Sequence, residues 1–199
     1  MPFPERLAIA TKNPHKLREL GRICHDWPVE WLTVENHPGP WPDVPEPHET
    51  YLDNALEKAC AIASALGEPA IADDSGIEAD ALDGGPGPRS ARFAGEGASD
   101  AENLAKLVEA IGDEQPDART ARYRCVAAIA WPDGRVLHAE GVCDGTLVTT
   151  TRGARGFGYD PVFVPEGERR TMAELGDQEK DRISHRGRAF RALARLMSG

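Results

Sequence analysis

The segment Ile71-Ala-Asp-Asp-Ser-Gly-Ile-Glu78 sets two adjacent carboxylates, a hydroxyl and a glycine directly after an apolar run. Ala70-Ile71-Ala72 reads as a buried strand, so Asp73 and Asp74 stand at the end of an element that belongs in a core. Unpaired carboxylates are costly there. A hard divalent cation would offset that cost, because carboxylate oxygens are its preferred ligands. The structural alternative is a helix N-cap, a common use of Asp or Ser before a turn.

Other polar groups interrupt otherwise well-patterned segments: Thr11 to Lys16, Glu46, Asn54 with Lys58, Phe157 to Asp160, and Lys180 with Ser184-His185-Arg186. Such interruptions are where functional sites are expected. Sorted by chemistry, they supply acids for a hard metal, lysines for phosphate, and an aromatic with His and Arg suited to a flat ring. Those are the parts of a nucleoside polyphosphate site, and phosphoanhydride hydrolysis needs little beyond charge neutralisation, a metal and a positioned water.

The elements that must position these groups follow from periodicity. Leu7 to Ala10 is a short strand candidate, Thr11 to Pro14 a polar turn, and His15 to about Cys24 a helix with Leu17, Leu20 and Ile23 on one stripe. Strand, loop and helix in that order present backbone N–H groups and a positive helix end to an anion. Lys12 and Lys16 at that end oppose the helix dipole, a conflict that a bound anion relieves. A solvated surface turn is the plainer reading. His37 to His48 holds five prolines and forms a semi-rigid loop containing Glu46. Thr50 caps a helix with apolar positions from Leu52 to Leu66, closed by Gly67. Asn54 and Lys58, one turn apart beside the apolar stripe, read in isolation as a polar shoulder.

Asp83 to Arg89 packs three glycines and two prolines into seven residues, which excludes helix and central strand. Ser99 and Glu102 form a capping box for a helix ending at Gly112. Ala121 to Trp131, the turn Pro132-Asp-Gly134, and Val136 to Cys143 make an antiparallel hairpin, hence a mixed sheet. A last helix runs from about Ser184 to Met197. At 199 residues the chain is one large domain or a two-lobed one of α/β class. Its net charge of −10 argues against a binder of nucleic acid polymers by charge neutralisation. No apolar run reaches membrane-spanning length and no signal-peptide pattern is present, so no membrane partner and a cytoplasmic location are expected. Cys24, Cys60, Cys125 and Cys143 are too scattered for a zinc site or a disulfide framework.

Six motifs in order carry a family resemblance: Thr11-x-Asn13-x-x-Lys16, Asn54-Ala55-x-x-Lys58-Ala59, Ala72-Asp73-Asp74-Ser75-Gly76, Gly85-x-x-x-x-Ser90-Ala91-Arg92, Phe157-Gly158-Tyr159-Asp160-Pro161 and Ser184-His185-Arg186. From Leu7 to the last helix the chain resembles the non-canonical purine nucleoside triphosphate pyrophosphatases, the inosine triphosphatase or Ham1-like family. The resemblance implies a single, elongated, two-lobed α/β domain over residues 1–199, a long mixed β-sheet flanked by helices, an active-site cleft between the lobes, and a homodimer. It implies Mg²⁺-dependent hydrolysis of ITP, dITP and XTP to the monophosphate and pyrophosphate, cleansing the nucleotide pool. By matching motif, Asp74 is the general base and a metal ligand, with Glu46 the second metal-binding acid and Ser75 a substrate contact. Thr11, Lys12, Asn13, Pro14, His15 and Lys16 cradle the triphosphate. Phe157, Gly158, Tyr159, Asp160, His185 and Arg186 surround the base, and Lys180 contacts the substrate. Asp73 stays open between a direct ligand and a supporting or capping residue, and Phe157 and Tyr159 between base contacts and core aromatics.

Selectivity is a hydrogen-bond problem: hypoxanthine and xanthine offer a 6-oxo acceptor where adenine offers an amino donor. A fixed donor such as Arg186 or a backbone N–H would be left unpaired by adenine. Two rivals are a pyrophosphatase for modified pyrimidine or methylated nucleotides resembling the Maf-like proteins, and a non-catalytic nucleotide sensor. The Ser-His-Arg and Phe-Gly-Tyr-Asp segments argue against the first, and Asp74 together with Lys16 against the second.

Overall fold

A computed structural model describes residues 2–112, 114–115 and 118–198. The elements, in order, are β1 (Arg6–Ile9), α1 (Pro14–Ile23), β2 (Glu30–Leu32), α2 (Tyr51–Leu66), β3 (Ala70–Ala79), α3 (Asp100–Ile111), β4 (Thr120–Ala130), β5 (Val136–Leu147), β6 (Phe163–Pro165), α4 (Asp177–Ile183) and α5 (His185–Ser198). The strands form one sheet in the order β2-β1-β3-β4-β5-β6. β1 runs parallel to both β2 and β3, and β5 pairs antiparallel with β6, so the sheet is mixed as the hairpin predicts. No described helix is long and apolar enough to cross a membrane.

The chain divides into two compact units. Unit 1 comprises Met1–Asp74, Cys125–Gly141 and Arg186–Gly199, and unit 2 comprises Ser75–Arg124 and Val142–His185. In unit 1 the sheet residues alternate between two cores, as strand pleating requires. Leu7, Ile9, Ile71, Cys125, Ala127 and Ile129 pack with α1 and with Phe190 and Leu193 of α5. Ala8, Ala70, Ala72, Val126, Ala128 and Ala130 face α2. Alanine on this second face lets the helix approach the sheet closely. Unit 2 has its own core, in which Leu107 and Ile111 of α3 join Ile77, Tyr123, Leu147 and Phe163.

The caps behave as their residue types predict. Thr50 accepts the Asp53 N–H, Gly67 closes α2 at φ +69°, and Ser99 with Glu102 forms a reciprocal capping box. Two expectations are corrected. β3 does not stop at the carboxylates but continues through Asp73, Asp74, Ser75 and Gly76 to Ala79, because charged partners inside the fold receive both side chains. Within the glycine- and proline-rich loop, Gly87–Arg92 forms a short 3₁₀ segment, despite a composition that excludes a regular α-helix. The last helix starts at His185 as expected, with Ser184 in extended conformation between it and the short α4.

Gly76 shows why the strand needs glycine. A Cβ there would lie 2.5 Å from Ser90 Oγ and collide with the Gly87 carbonyl. Ser90 Oγ meanwhile accepts the Ile77 N–H at 2.9 Å and donates to the Gly87 carbonyl at 2.6 Å, tying the 3₁₀ turn to β3. Backbone cannot yield as a flexible side chain can, so Gly76→Ala should lower unfolding free energy by about 2 kcal/mol or more, read from the urea midpoint.

Candidate functional site

Consecutive strand residues point to opposite faces, and Asp73 and Asp74 accordingly meet different partners. Asp73 turns toward α1 and α5. Its Oδ2 accepts hydrogen bonds from Arg186 Nε at 3.3 Å and Nη2 at 3.1 Å, and lies 3.3 Å from Lys16 Nζ. Arg186 also pairs with Glu19 of α1. Arg186 is only 2% exposed. Burial alone would raise the Asp73 pKa, but Lys16, Arg186 and Lys58 outweigh it and hold the carboxyl well below the usual carboxylate range. Burial likewise works against the Arg186 charge, and Asp73 and Glu19 secure it.

Asp74 turns toward α2. Its Oδ2 accepts from Asn54 Nδ2 at 3.0 Å, and its Oδ1 lies 3.8 Å from Lys58 Nζ. Asn54 is fully buried. Its Oδ1 accepts the His48 N–H at 3.0 Å and its Nδ2 also donates to the His48 carbonyl at 3.2 Å, so one amide anchors both the proline-rich loop and the carboxylate. Lys58 Nζ donates to Glu46 Oε1 at 2.5 Å and to the Asp73 carbonyl at 2.6 Å. Burial and the neighbouring Glu46 raise the Asp74 pKa against the opposing pull of Lys58, Lys16 and Asn54. Glu46 is lowered, since Lys58 overcomes the effect of burial. Neighbouring aspartates pushed in opposite directions mark two roles, a locked anion and a carboxylate with proton affinity in reserve.

The polar-shoulder reading of Asn54 and Lys58 is overturned, since both are buried and turned onto the carboxylates. Their i, i+4 spacing was the available signal, and only the third dimension shows which face it occupies. Glu19 and Tyr123 carried no sequence signal of this kind.

In this cluster Glu19, Glu46, Asp73 and Asp74 face Lys16, Lys58 and Arg186, four negative groups against three positive ones. A polyphosphate entering that field requires added positive charge. Among the described residues no group of three or more His, Cys, Asp or Glu side chains could cage a metal. Glu46 and Asp74, whose carboxylates both approach the Lys58 ammonium, are oxygen donors of the kind that fits a hard cation.

The Thr11 to Lys16 loop is organised by Asn13, whose side chain caps α1 by accepting the N–H groups of His15 at 2.8 Å and Lys16 at 3.3 Å. Pro14 is the first helical residue, and Thr11 Oγ1 accepts the Asn13 N–H at 3.2 Å. Three of the amides expected to face an anion, those of Asn13, His15 and Lys16, are therefore already engaged. Lys16 reaches inward to Asp73, whereas Lys12 pairs with exposed Asp43 and His15 with Arg18.

Unit 2 holds the aromatic group. Asp160, buried, accepts from Lys180 Nζ at 2.6 Å and the Phe157 N–H at 2.9 Å, with the Tyr123 hydroxyl at 3.4 Å. Lys180 Nζ stands 5.1 Å from the Phe157 ring centre, and His185 stacks on Tyr123 with centroids 4.5 Å apart and planes 9° from parallel. Ser75, half-buried, is the first residue of this unit. Tyr159 is a core residue, its hydroxyl donated to the Ser90 carbonyl at 2.7 Å, and the Gly158 N–H donates to Asp100 at 2.9 Å. These two positions of the Phe-Gly-Tyr-Asp segment stabilise the loop, and of its aromatics only Phe157 lies beside Lys180. Arg186, expected as a donor to the base, has its guanidinium committed to Asp73 and Glu19.

Comparison with known proteins agrees with this architecture. Residues 7–196 match the Ham1 family model. A dITP/XTP pyrophosphatase of Desulforamulus reducens is 44% identical over 97% of this chain and 96% of its own length. One from Streptomyces coelicolor is 48% identical, over 94% of each. Among solved structures, a HAM1 protein from Coxiella burnetii superposes with a TM-score of 0.85 at 36% identity, covering 98% of this chain and 99% of that one. The Staphylococcus aureus Ham1 protein gives 0.82 at 35%, covering 98% of both. The chain belongs to the Ham1 family.

Asp73 supplies a test of the buried network. Its depressed pKa contributes stability that is present above the unfolded value and lost as pH falls below it. Asp73→Asn should cost about 3 kcal/mol at neutral pH, because it leaves buried cations undercompensated. Its unfolding free energy should also fall less than the parent's as the pH drops below about 4 in urea titrations.

Proposed function

We propose that this Ham1-family chain hydrolyses the non-canonical purine triphosphates dITP, ITP and XTP to the monophosphate and pyrophosphate. It is a nucleoside triphosphate pyrophosphatase, the activity named for relatives that match it along nearly its whole length. What supports a residue-level reading is the contrast between Asp73, fixed by Arg186 and Lys16, and Asp74, whose proton affinity is raised. Asp74 is the general base: its carboxylate orients a water and takes its proton as the water oxygen attacks phosphorus. Lys16 and Lys58 offer their ammonium groups to phosphate oxygens and stabilise the pyrophosphate as it leaves. Asn13 fixes the start of α1 so that Lys16 projects correctly, while Thr11, Lys12 and His15 line the same loop. Glu46 and Asp74 would hold Mg²⁺, which when bound withdraws charge from the phosphorus under attack.

Unit 2 takes the base. The Phe157 face stacks on it, Lys180 and His185 supply donors for the oxo groups, and Ser75 contacts the substrate. Asp160 pairs with Lys180 and holds its ammonium against that ring. A donor aimed at O6 is satisfied by hypoxanthine and xanthine and stranded by adenine. Arg186 serves this reading as the anchor of Asp73. The whole chain acts as one two-lobed catalytic domain in a cytoplasmic homodimer.

Purified protein with Mg²⁺ should release pyrophosphate from dITP, ITP and XTP far faster than from dATP. Absence of pyrophosphate with every nucleotide would leave a sensor. Asp74→Asn should lower kcat by at least about a hundredfold with little change in nucleotide binding, the size expected for a lost general base. Turnover at the parental rate would assign the base elsewhere. Lys16→Ala should weaken binding of dITP more than of dIMP. Equal losses for the two ligands in calorimetry would remove Lys16 from the phosphate cradle.

A further inference from the structure

Lys58 occupies a peculiar position. Its Nζ lies 2.5 Å from Glu46 Oε1, 2.6 Å from the Asp73 carbonyl and 3.8 Å from Asp74 Oδ1. Those oxygens come from the proline-rich loop and from two successive residues of β3, and two of them, on Glu46 and Asp74, belong to the carboxylates that the proposed function gives to a divalent ion. An ammonium has three donors and no acceptor, and here it lies among three oxygens. The ammonium and a doubly charged ion cannot share the Glu46 and Asp74 oxygens at such separations without strong mutual repulsion. One has to leave before the other binds.

We propose that Lys58 is a resident counter-cation that holds Glu46 and Asp74 together and keeps a divalent metal out until a polyphosphate draws the ammonium away. Three features support this. Lys58 is buried, and apart from the Asp73 carbonyl its ammonium is held by the carboxylates of Glu46 and Asp74, the groups a divalent ion would take. Its stem is four flexible carbons, long enough to swing the ammonium onto an incoming phosphate while the helix stays fixed. Lys16 also reaches the Asp73 carbonyl, at 3.5 Å, so the cluster keeps one cation on that oxygen when Lys58 leaves. The consequence is coupling: metal and nucleotide each raise the affinity for the other, because each removes the same obstacle.

This inference rests on the cation position named in the proposed function, and the experiment separates the two. Nucleotide-free parent, Lys58→Met, Glu46→Gln and the double variant Lys58→Met with Glu46→Gln are titrated with Mn²⁺ alone by calorimetry. Their melting temperatures are measured in EDTA and in Mn²⁺. Lys58→Met should bind Mn²⁺ at least about tenfold tighter than the parent and show the larger rise in melting temperature on adding Mn²⁺, since the ion then supplies the missing countercharge. Adding Glu46→Gln should abolish the gain. If Lys58→Met binds Mn²⁺ no tighter than the parent while Glu46→Gln weakens binding in both, the cation position stands and the counter-cation role falls. If the gain survives Glu46→Gln, the assignment of Glu46 as a ligand falls, and with it the proposal. Should Lys58→Met fail to fold in EDTA, Lys58→Gln, which retains a hydrogen-bond donor for Glu46, is read in the same way.

Discussion

The pairing of Asp73 with Arg186 is the constraint on which unit 1 depends. A carboxylate in the middle of a buried strand, flanked by Ile71 and Cys125, would be intolerable alone. The guanidinium of α5 and the ammonium of Lys16 make it tolerable, and Glu19 completes the charge on Arg186. The terms are large and opposed, so the network is better understood as fixing position than as adding net stability. It pins α5 and the start of α1 to one point on β3. With Asp73 so held, the next residue has only one direction to face, and Asp74 emerges toward α2 at a defined height.

Each unit repeats this logic with its own residues. In unit 1 a buried anion anchors Lys16, and a buried amide, Asn54, steadies the Asp74 carboxylate. In unit 2 Asp160 plays the anchoring part, gathering Lys180, the Phe157 N–H and the Tyr123 hydroxyl around one carboxylate. Groups that would otherwise flex are thereby presented at fixed spacing, which is what selective recognition requires.

Much of this was legible in the chain. The Thr50 to Gly67 helix, the Ser99 and Glu102 capping box and the central hairpin follow from caps and periodicity, and the structure has all three. The motifs also pointed to the correct family. What was not legible has physical causes. β2 and β6 are three residues each, too short for alternation to register. The continuation of β3 through two aspartates contradicts local propensity and is settled only by partners on other elements, from Lys58, 15 residues from Asp73, to Arg186, 113 residues from it. The same long-range pairing turned Arg186 inward, and Tyr159 was claimed by the core because a nearby carbonyl, Ser90, was available to its hydroxyl. Sequence names the chemical groups well, but it does not say which face of a helix or strand they occupy.

Asn54 grips residue 48 wholly through its main chain, taking the N–H and meeting the carbonyl with a single amide. Such a clasp is indifferent to whatever side chain that residue bears. Residue 48 can therefore change its side chain without loosening that clasp, while its main chain keeps the same register against α2. Evolutionary latitude and mechanical fixity coexist in one short segment, separated by nothing more than which atoms do the holding.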